Sequence, residues 1–592
     1  MSTSHYPTPT PDPTSAWSSA EQYEMYVALL GLAESLRSQG EPAGAYHCLV
    51  AILALNVPHV VSARIHCEIG KLLLRHSDSQ DVAKYYLDSA VNMGLHAQNG
   101  SALEEARLDA SSALADYYVA HDDVAQARDI LHTAIEQSQH SPYWQCHFIF
   151  QLANVFVQGQ DHTVATQILT LGESFSARHQ ADYLTTLFQL ARAHVFIRGK
   201  QYQSAVTSLA DIGSRLDAAT AQVSVGLRDE LRFYLIALEA LCRLNMGQAK
   251  SVRPYVAPLQ AALDQLTQNA AQAPPADHPL QMFALAPRSM FPALHFAISA
   301  QFFALVGYHD KLDRLVHRCK SFFDGLVGTE HGALRDELRC VMYQHAIPTS
   351  LSTGRFNQAL EQISDYITLC CKDSTLMRPR RCQLHTLLGL CALQFGYNEV
   401  AESQFGYAYR WCQSPEMLAL LTANQALLYY KQQRWLDLLN AAQRSLPDQA
   451  PDHVGLRCSA FIVQALKALA ESRFADGQVL LQRALQLSNA EDLNQMMANS
   501  LMLLARNCAA LAQWDNAFKA AKAAADLADK IPAPQLSINA LKLISDVAGH
   551  VGDHASRSTA VQQAARFGER EAQELALVQR NPKLNTLQWT GG

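Results

Sequence analysis

The chain has 592 residues, 49% of them hydrophobic and 17% charged, so it can bury a large core and is not a wholly disordered polymer. Lys and Arg number 47 against 54 Asp and Glu, a net charge of −7, which disfavours a protein that grips nucleic acid mainly through its own surface and leaves room only for a local basic patch. The 13 cysteines are an odd, scattered set with no C-x-x-C, the usage of small buried hydrophobes in a reducing compartment rather than of a disulfide framework.

In chain order, residues 1–19 are rich in Pro, Ser and Thr and lack the basic start and apolar core of a signal peptide, which predicts a disordered N-terminus. Helical periodicity begins at Glu21, with Tyr26, Leu29, Leu30, Ala33 and Leu36 recurring at spacings of three and four. Helical stretches then alternate with short breaks carrying Gly, Asp, His or Asn, and Val/Ile/Thr-rich alternation of period two is almost absent. The expectation is an all-α chain whose folded part spans residues 20–577. Apolar runs such as 235–241 and 500–505 fall far short of a membrane span, which predicts a soluble chain with no membrane partner. Residues 268–290 are proline-rich and cannot form a continuous helix, so a long loop is predicted there. Arg378-Pro379-Arg380-Arg381 reads as a solvated loop rather than as an import signal. Residues 578–592 read as a polar tail carrying an exposed Trp589.

Self-similarity carries more information than any single element. A tetratricopeptide hairpin needs a small residue where its two helices cross, another twelve positions on, then a large apolar residue four later and a small one three beyond. Gly389, Ala401, Phe405 and Ala408 meet this pattern, as do Ala115, Ala127, Leu131 and Ala134, and again Ala153, Ala165, Leu169 and Gly172. Partial matches start at Ala193, Ala465 and Ala505, one near Gly70 carries an extra residue, and a weaker echo runs from Ala237 to Ala249. Each hairpin can bury its apolar face only against its neighbours, so the predicted architecture is a tetratricopeptide-like helical-repeat superhelix, an α-solenoid.

Catalytic signatures are absent: no phosphate-binding loop, dinucleotide fingerprint, H-E-x-x-H, G-x-S-x-G or EF-hand loop occurs. Adjacent His–Cys pairs such as His47-Cys48 point about 100° apart on a helix and cannot chelate one metal by themselves. The expectation is a protein with no enzyme activity, cofactor or metal. What the repeats offer is a binding stripe, formed in each first helix by the positions six and three before, and one and four after, the close-contact small residue. This stripe comprises Asp109, Ser112, Asp116 and Val119; His147, Phe150, Asn154 and Val157; and Leu187, Leu190, His194 and Ile197. Farther on come Gln383, Thr386, Leu390 and Leu393, then Asn499, Met502, Arg506 and Ala509. Asp109, Asp116, His147, Phe150, Asn154, Leu187, Leu190, His194, Gln383, Leu390 and Arg506 are the candidate partner-binding residues. The stripe lacks the Lys/Arg set that clamps an acidic peptide tail.

Several segments carry more identity than the repeat demands: Tyr26-Val-Ala-Leu-Leu-Gly-Leu-Ala-Glu34, Ser141-Pro-Tyr-Trp-Gln-Cys-His-Phe-Ile-Phe-Gln-Leu-Ala153, Gln248-Ala-Lys-Ser-Val-Arg-Pro254, Gln383-Leu-His-Thr-Leu-Leu-Gly-Leu390 and Leu487-Ser-Asn-Ala-Glu-Asp-Leu-Asn494. In this order they resemble the Mau-type sister chromatid cohesion factors, the tetratricopeptide subunits of the cohesin loader. The resemblance implies a non-enzymatic nuclear subunit that binds the extended N-terminal segment of the large HEAT-repeat loader subunit. It further implies that cohesin is reached indirectly, and chromatin through the complex, without tight DNA binding of its own. The alternative is a generic tetratricopeptide scaffold of another multi-subunit assembly.

Overall fold

The computed structural model describes residues 20–590 apart from 78–79, 96, 99–100, 219–224, 270–282, 326–331, 373 and 450–451. The expected disordered segment 1–19 and most of the 268–290 loop lie outside the described residues. Regular structure among them is helical, with no strand. The first ten helices are α1 (Ala20–Ser38), α2 (Pro42–Leu53), α3 (His59–His76), α4 (Gln80–Met93), α5 (Ala102–Ala120), α6 (Val124–Gln137), α7 (Pro142–Gln158), α8 (His162–Arg178), α9 (Asp182–Arg198) and α10 (Tyr202–Ala218). Next come α11 (Val225–Asn245), α12 (Ala249–Asn269), α13 (Phe291–Val306), α14 (His309–Asp324), α15 (Gly332–Ser352), α16 (Phe356–Cys371), α17 (Ser374–Gln394) and α18 (Asn398–Arg410). The last are α19 (Pro415–Lys431), α20 (Trp435–Gln443), α21 (Val454–Ala470), α22 (Phe474–Ala490), α23 (Asn494–Ala510), α24 (Trp514–Lys530), α25 (Pro534–Val551) and α26 (His554–Arg580).

Local chemistry explains where the helices start and turn. Ser101, Asp123, Asp161, Ser414 and Asp553 each accept a hydrogen bond from a main-chain N–H in the first turn of the helix they precede. Pro42, Pro142, Pro415 and Pro534 occupy the first helical position, where no N–H is needed. The turn inside a hairpin recurrently places one residue in the left-handed region, as at Asp122, Gln160 and Lys200 and at Gly307, Gly354 and Gly396.

The chain divides into two compact units, one running to Leu238 and including Ala262–Ser289, the other comprising Glu239–Ala261 and the chain from Met290 onward. In the first unit, one core gathers Ala33, Leu49, Ile52, Ile65 and Ile69. The next gathers Leu87, Ala110, Ala113 and Tyr117. In the second unit a series of such cores runs from α13 to α26. Successive small cores in place of one central core are the energetic pattern of a repeat array.

The predicted small positions are the close contacts. Ala115, Ala127, Ala401 and Ala408 are fully buried, and a Cβ added at Gly389 would lie 2.5 Å from the Phe405 ring. The equivalent atom at Gly172 would lie 2.4 Å from the Phe188 ring, and at Gly70 2.6 Å from Leu87.

Three sequence expectations need correction. Arg378-Pro379-Arg380-Arg381 is helical, within α17: Arg380 pairs with Glu337 at 3.3 Å and the Arg381 guanidinium lies over Trp411. Trp589 is not exposed on a free tail; it stacks on His385 at 5.0 Å, while α26 runs to Arg580. The stretch Arg288–Val306 is long and apolar enough to cross a membrane, which the run-length reading missed, although just over half of it is buried, with Ala293, Ala297 and Ala300 in a core.

His309 gives the second unit a pH dependence. Burial, helped by the Arg355 guanidinium and opposed by Asp310, lowers its imidazole to about 4. The unfolded chain takes up the proton first, near pH 6.5, so the stability held above that pH is lost as pH falls toward 4. Between pH 7 and pH 5 this residue's share is about 2 kcal/mol. The His309→Gln variant is expected to lose that much less stability over the interval in urea unfolding; parallel losses in variant and wild type would contradict it.

Candidate partner-binding wall

In the first unit, the first helices of successive hairpins meet side by side and share a polar ladder. Asp109 of α5 forms an ion pair with Lys71 of α3 and accepts from the Cys67 thiol. Ser112 Oγ lies 2.9 Å from His147 Nε2 of α7 and 3.1 Å from Gln151 Oε1. Gln151 Nε2 in turn donates to the Asp116 carboxylate at 2.8 Å and to the Ser112 carbonyl at 2.9 Å. Asp109 thus ties α5 to α3, while Ser112 and Asp116 tie α5 to His147 and Gln151 of α7.

Exposure and electrostatics together give that wall its character. Asp116, Asn154 and His194 are all reached by solvent. Yet desolvation pushes the Asp116 carboxyl up, and desolvation with the nearby Arg198 lowers the His194 imidazole to about 4. Both groups therefore touch water while lying close enough to surrounding protein to be partly desolvated. Desolvation also lowers His147, so the ladder presents a neutral imidazole near pH 7.

Aromatic side chains continue the wall. Phe150 stacks on the fully buried Phe188 with ring centroids 4.0 Å apart, and it also touches Phe283 at 5.9 Å. Phe150 is therefore half-covered by the chain itself. Leu187 and Leu190, expected on the open stripe, are buried at 1% and 0% exposure, which corrects that expectation. The physical reason is that four successive α9 residues, Leu187, Phe188, Gln189 and Leu190, are all buried, so this stretch is covered around its whole circumference.

The remaining candidates lie in the second unit. Gln383 and Arg506 are half-buried, and Leu390 packs against two adjoining cores, so it serves packing. Among the described residues, no group of three or more His, Cys, Asp and Glu could hold a metal ion.

The stripe omitted Tyr143, Tyr183, Tyr234 and Glu230, which line the first unit's wall where residues Phe283–Arg288 lie. Tyr183 donates to the Phe283 carbonyl at 2.8 Å, and Tyr143 packs on the Phe283 ring at 5.0 Å. Two signals were available in the sequence. Tyr143 and Tyr183 each stand ten residues before a close-contact small residue, Ala153 and Ala193, and counting from Ala237 puts Tyr234 on the stripe itself.

Comparison with known proteins then decides the family. Residues 43–555 match the family model described as cohesin loading factor. The chain belongs to the cohesin loading factor family. Relatives of this loading factor include the MAU2 chromatid cohesion factor homologs of Aedes aegypti and Nematostella vectensis. The former is 26% identical over 97% of this chain and 93% of the relative, the latter 26% identical over 96% and 94%. The homolog of Drosophila melanogaster is 25% identical over 88% and 83%. Similar solved structures include Scc4 in complex with Scc2n and Ctf19n, with a TM-score of 0.43, 9% identity and coverage of 87% of this chain and 99% of that chain. The APC/C Cut9–Hcn1 assembly is similar with a TM-score of 0.44, 13% identity and coverage of 94% and 96%.

Proposed function

We propose that this chain is the non-enzymatic, nuclear, tetratricopeptide subunit of a cohesin loader, and that it holds the extended N-terminal segment of the large HEAT-repeat loader subunit. The observation that carries this reading is the family match over residues 43–555. The wall of the first unit supplies a physical means. An extended peptide entering a recess loses the water on its own N–H and C=O groups, and it needs side chains that replace those bonds beside an apolar anchor. Asp116 and Asn154 are open to such a peptide, while Phe150 and its neighbours supply the apolar surface. Cohesin and chromatin are then reached through the pair, and the charge of −7 fits a subunit that leaves tight DNA contact to other components.

The test is the double variant Asp116→Lys/Asn154→Ala, in which both altered side chains are exposed and neither empties a core. It is expected to fold as the wild type by circular dichroism and to bind the loader segment at least tenfold more weakly, about 1.4 kcal/mol. Unchanged affinity in a folded variant would remove this wall from the interface.

A further inference from the structure

Phe283–Pro287, in the first unit, carry no regular secondary structure and precede a 3-10 turn at Arg288–Met290. The wall holds this run as it would hold a separate peptide, mainly through main-chain atoms. Tyr183 donates to the Phe283 carbonyl at 2.8 Å; Tyr234 Oη accepts from the Ala286 N–H at 3.0 Å and lies 2.9 Å from the Ala286 carbonyl. Two side chains of the run make specific contacts with the wall. The Phe283 ring lies between Tyr143 and Phe150, and Arg288 Nε donates to Glu230 Oε2 at 2.8 Å. The intervening Ala284 and Leu285 side chains face solvent.

The burial is one-sided. Glu230 is 2% exposed and Tyr183 and Tyr234 are also buried, whereas Arg288 is half-exposed at its side chain. With the run in place the wall's polar groups are desolvated, while the run keeps its Arg288, Ala284 and Leu285 side chains at the surface. Without an occupant, Glu230 keeps the Tyr234 and Tyr183 hydroxyls but loses its cation, and the Tyr183 hydroxyl loses the Phe283 carbonyl as acceptor. Such a wall favours being filled at all times. A peptide with the same few features could take the place of the one present.

We propose that this wall of the first unit is a recognition site for an extended peptide carrying an aromatic residue and, five positions later, an arginine or lysine, and that the chain's own Phe283–Arg288 fills it in cis. A partner segment of this pattern binds here by displacing the run, and it competes against an occupant whose tether raises its effective concentration. The inference stands apart from the identity of the loader partner, because its test uses only this chain and a synthetic peptide.

The full-length Phe283→Ala/Arg288→Ala variant weakens the occupant in cis and leaves the wall intact. A fluorescein-labelled peptide of sequence Phe283–Met290 is expected to bind this variant at least tenfold more tightly than it binds the wild type, read by anisotropy. A peptide with alanine in place of its phenylalanine and arginine is expected not to bind, and adding Glu230→Gln to the variant is expected to weaken the native peptide at least tenfold. If the double variant melts early, the single Arg288→Ala chain takes its place, with an expected gain of at least threefold over wild type. Equal binding to variant and wild type, binding to neither, or equal binding of the alanine-substituted peptide would each overturn the proposal.

Discussion

Phe405→Ala is expected to cost about 3–5 kcal/mol, because it empties a fully buried aromatic site at the crossing of α17 and α18. The converse change at the same crossing, Gly389→Ala, puts a Cβ 2.5 Å from the Phe405 ring, a distance that real contacts do not tolerate. Alanine's better helix propensity returns about 1 kcal/mol, and the overpacking costs about 1–3 kcal/mol, so the net effect is a loss unless the ring moves. The two sites are in contact and therefore not additive. Gly389→Ala combined with Phe405→Leu, which shortens the obstructing side chain, is expected to cost less than the sum of the single changes in urea unfolding. Strict additivity would show that the predicted close contact does not govern this hairpin.

The second large effect concerns the C-terminus. Val578 and Leu587 are buried in the core built by α15, α16 and α17, with Leu584 and Trp589 packed on it. The Gln404 side chain, itself 2% exposed, donates to the Leu587 carbonyl at 2.8 Å and the Trp589 carbonyl at 2.9 Å. A chain ending at Asn581 removes the Leu587 burial, worth about 1.5–3 kcal/mol, and leaves the buried Gln404 amide without acceptors, about 1–3 kcal/mol more. The Lys583–Asp365 pair is exposed on both sides and adds little. The expected loss is about 4 kcal/mol, concentrated in this unit, and hydrogen exchange should locate it in α16–α18. Unchanged protection there would mean that the C-terminal segment rests on the unit without stabilising it.

Much of the fold was legible because the repeat imposes one demand that side-chain size alone can meet. Two helices crossing closely need a small residue at the crossing, and Gly389, Gly172 and Ala115 stand at those positions. The binding wall was legible only in part, since register says which side of a helix faces inward but not what then covers it. Leu187 and Leu190 were placed on an open stripe by register and are covered, while Asp116 and Asn154 were placed there and are open. Elsewhere on the wall, Phe283 packs on Tyr143 and Phe150, and no local pattern announces a contact across more than a hundred positions. Arg380 and Arg381 misled for a related reason. Pro379 removes one main-chain bond from α17, yet the helix persists, with Glu337 and Trp411 engaging the two arginines.

A ligand that binds the folded state alone raises the melting temperature by mass action. The most direct measurement is the melting temperature and binding isotherm of the full-length chain titrated with the N-terminal segment of the large loader subunit. A saturable rise in melting temperature is expected, with one segment bound per chain, and that rise is expected to be lost in the Asp116→Lys/Asn154→Ala variant. A melting temperature unmoved by excess segment, with no binding in the isotherm, would contradict it.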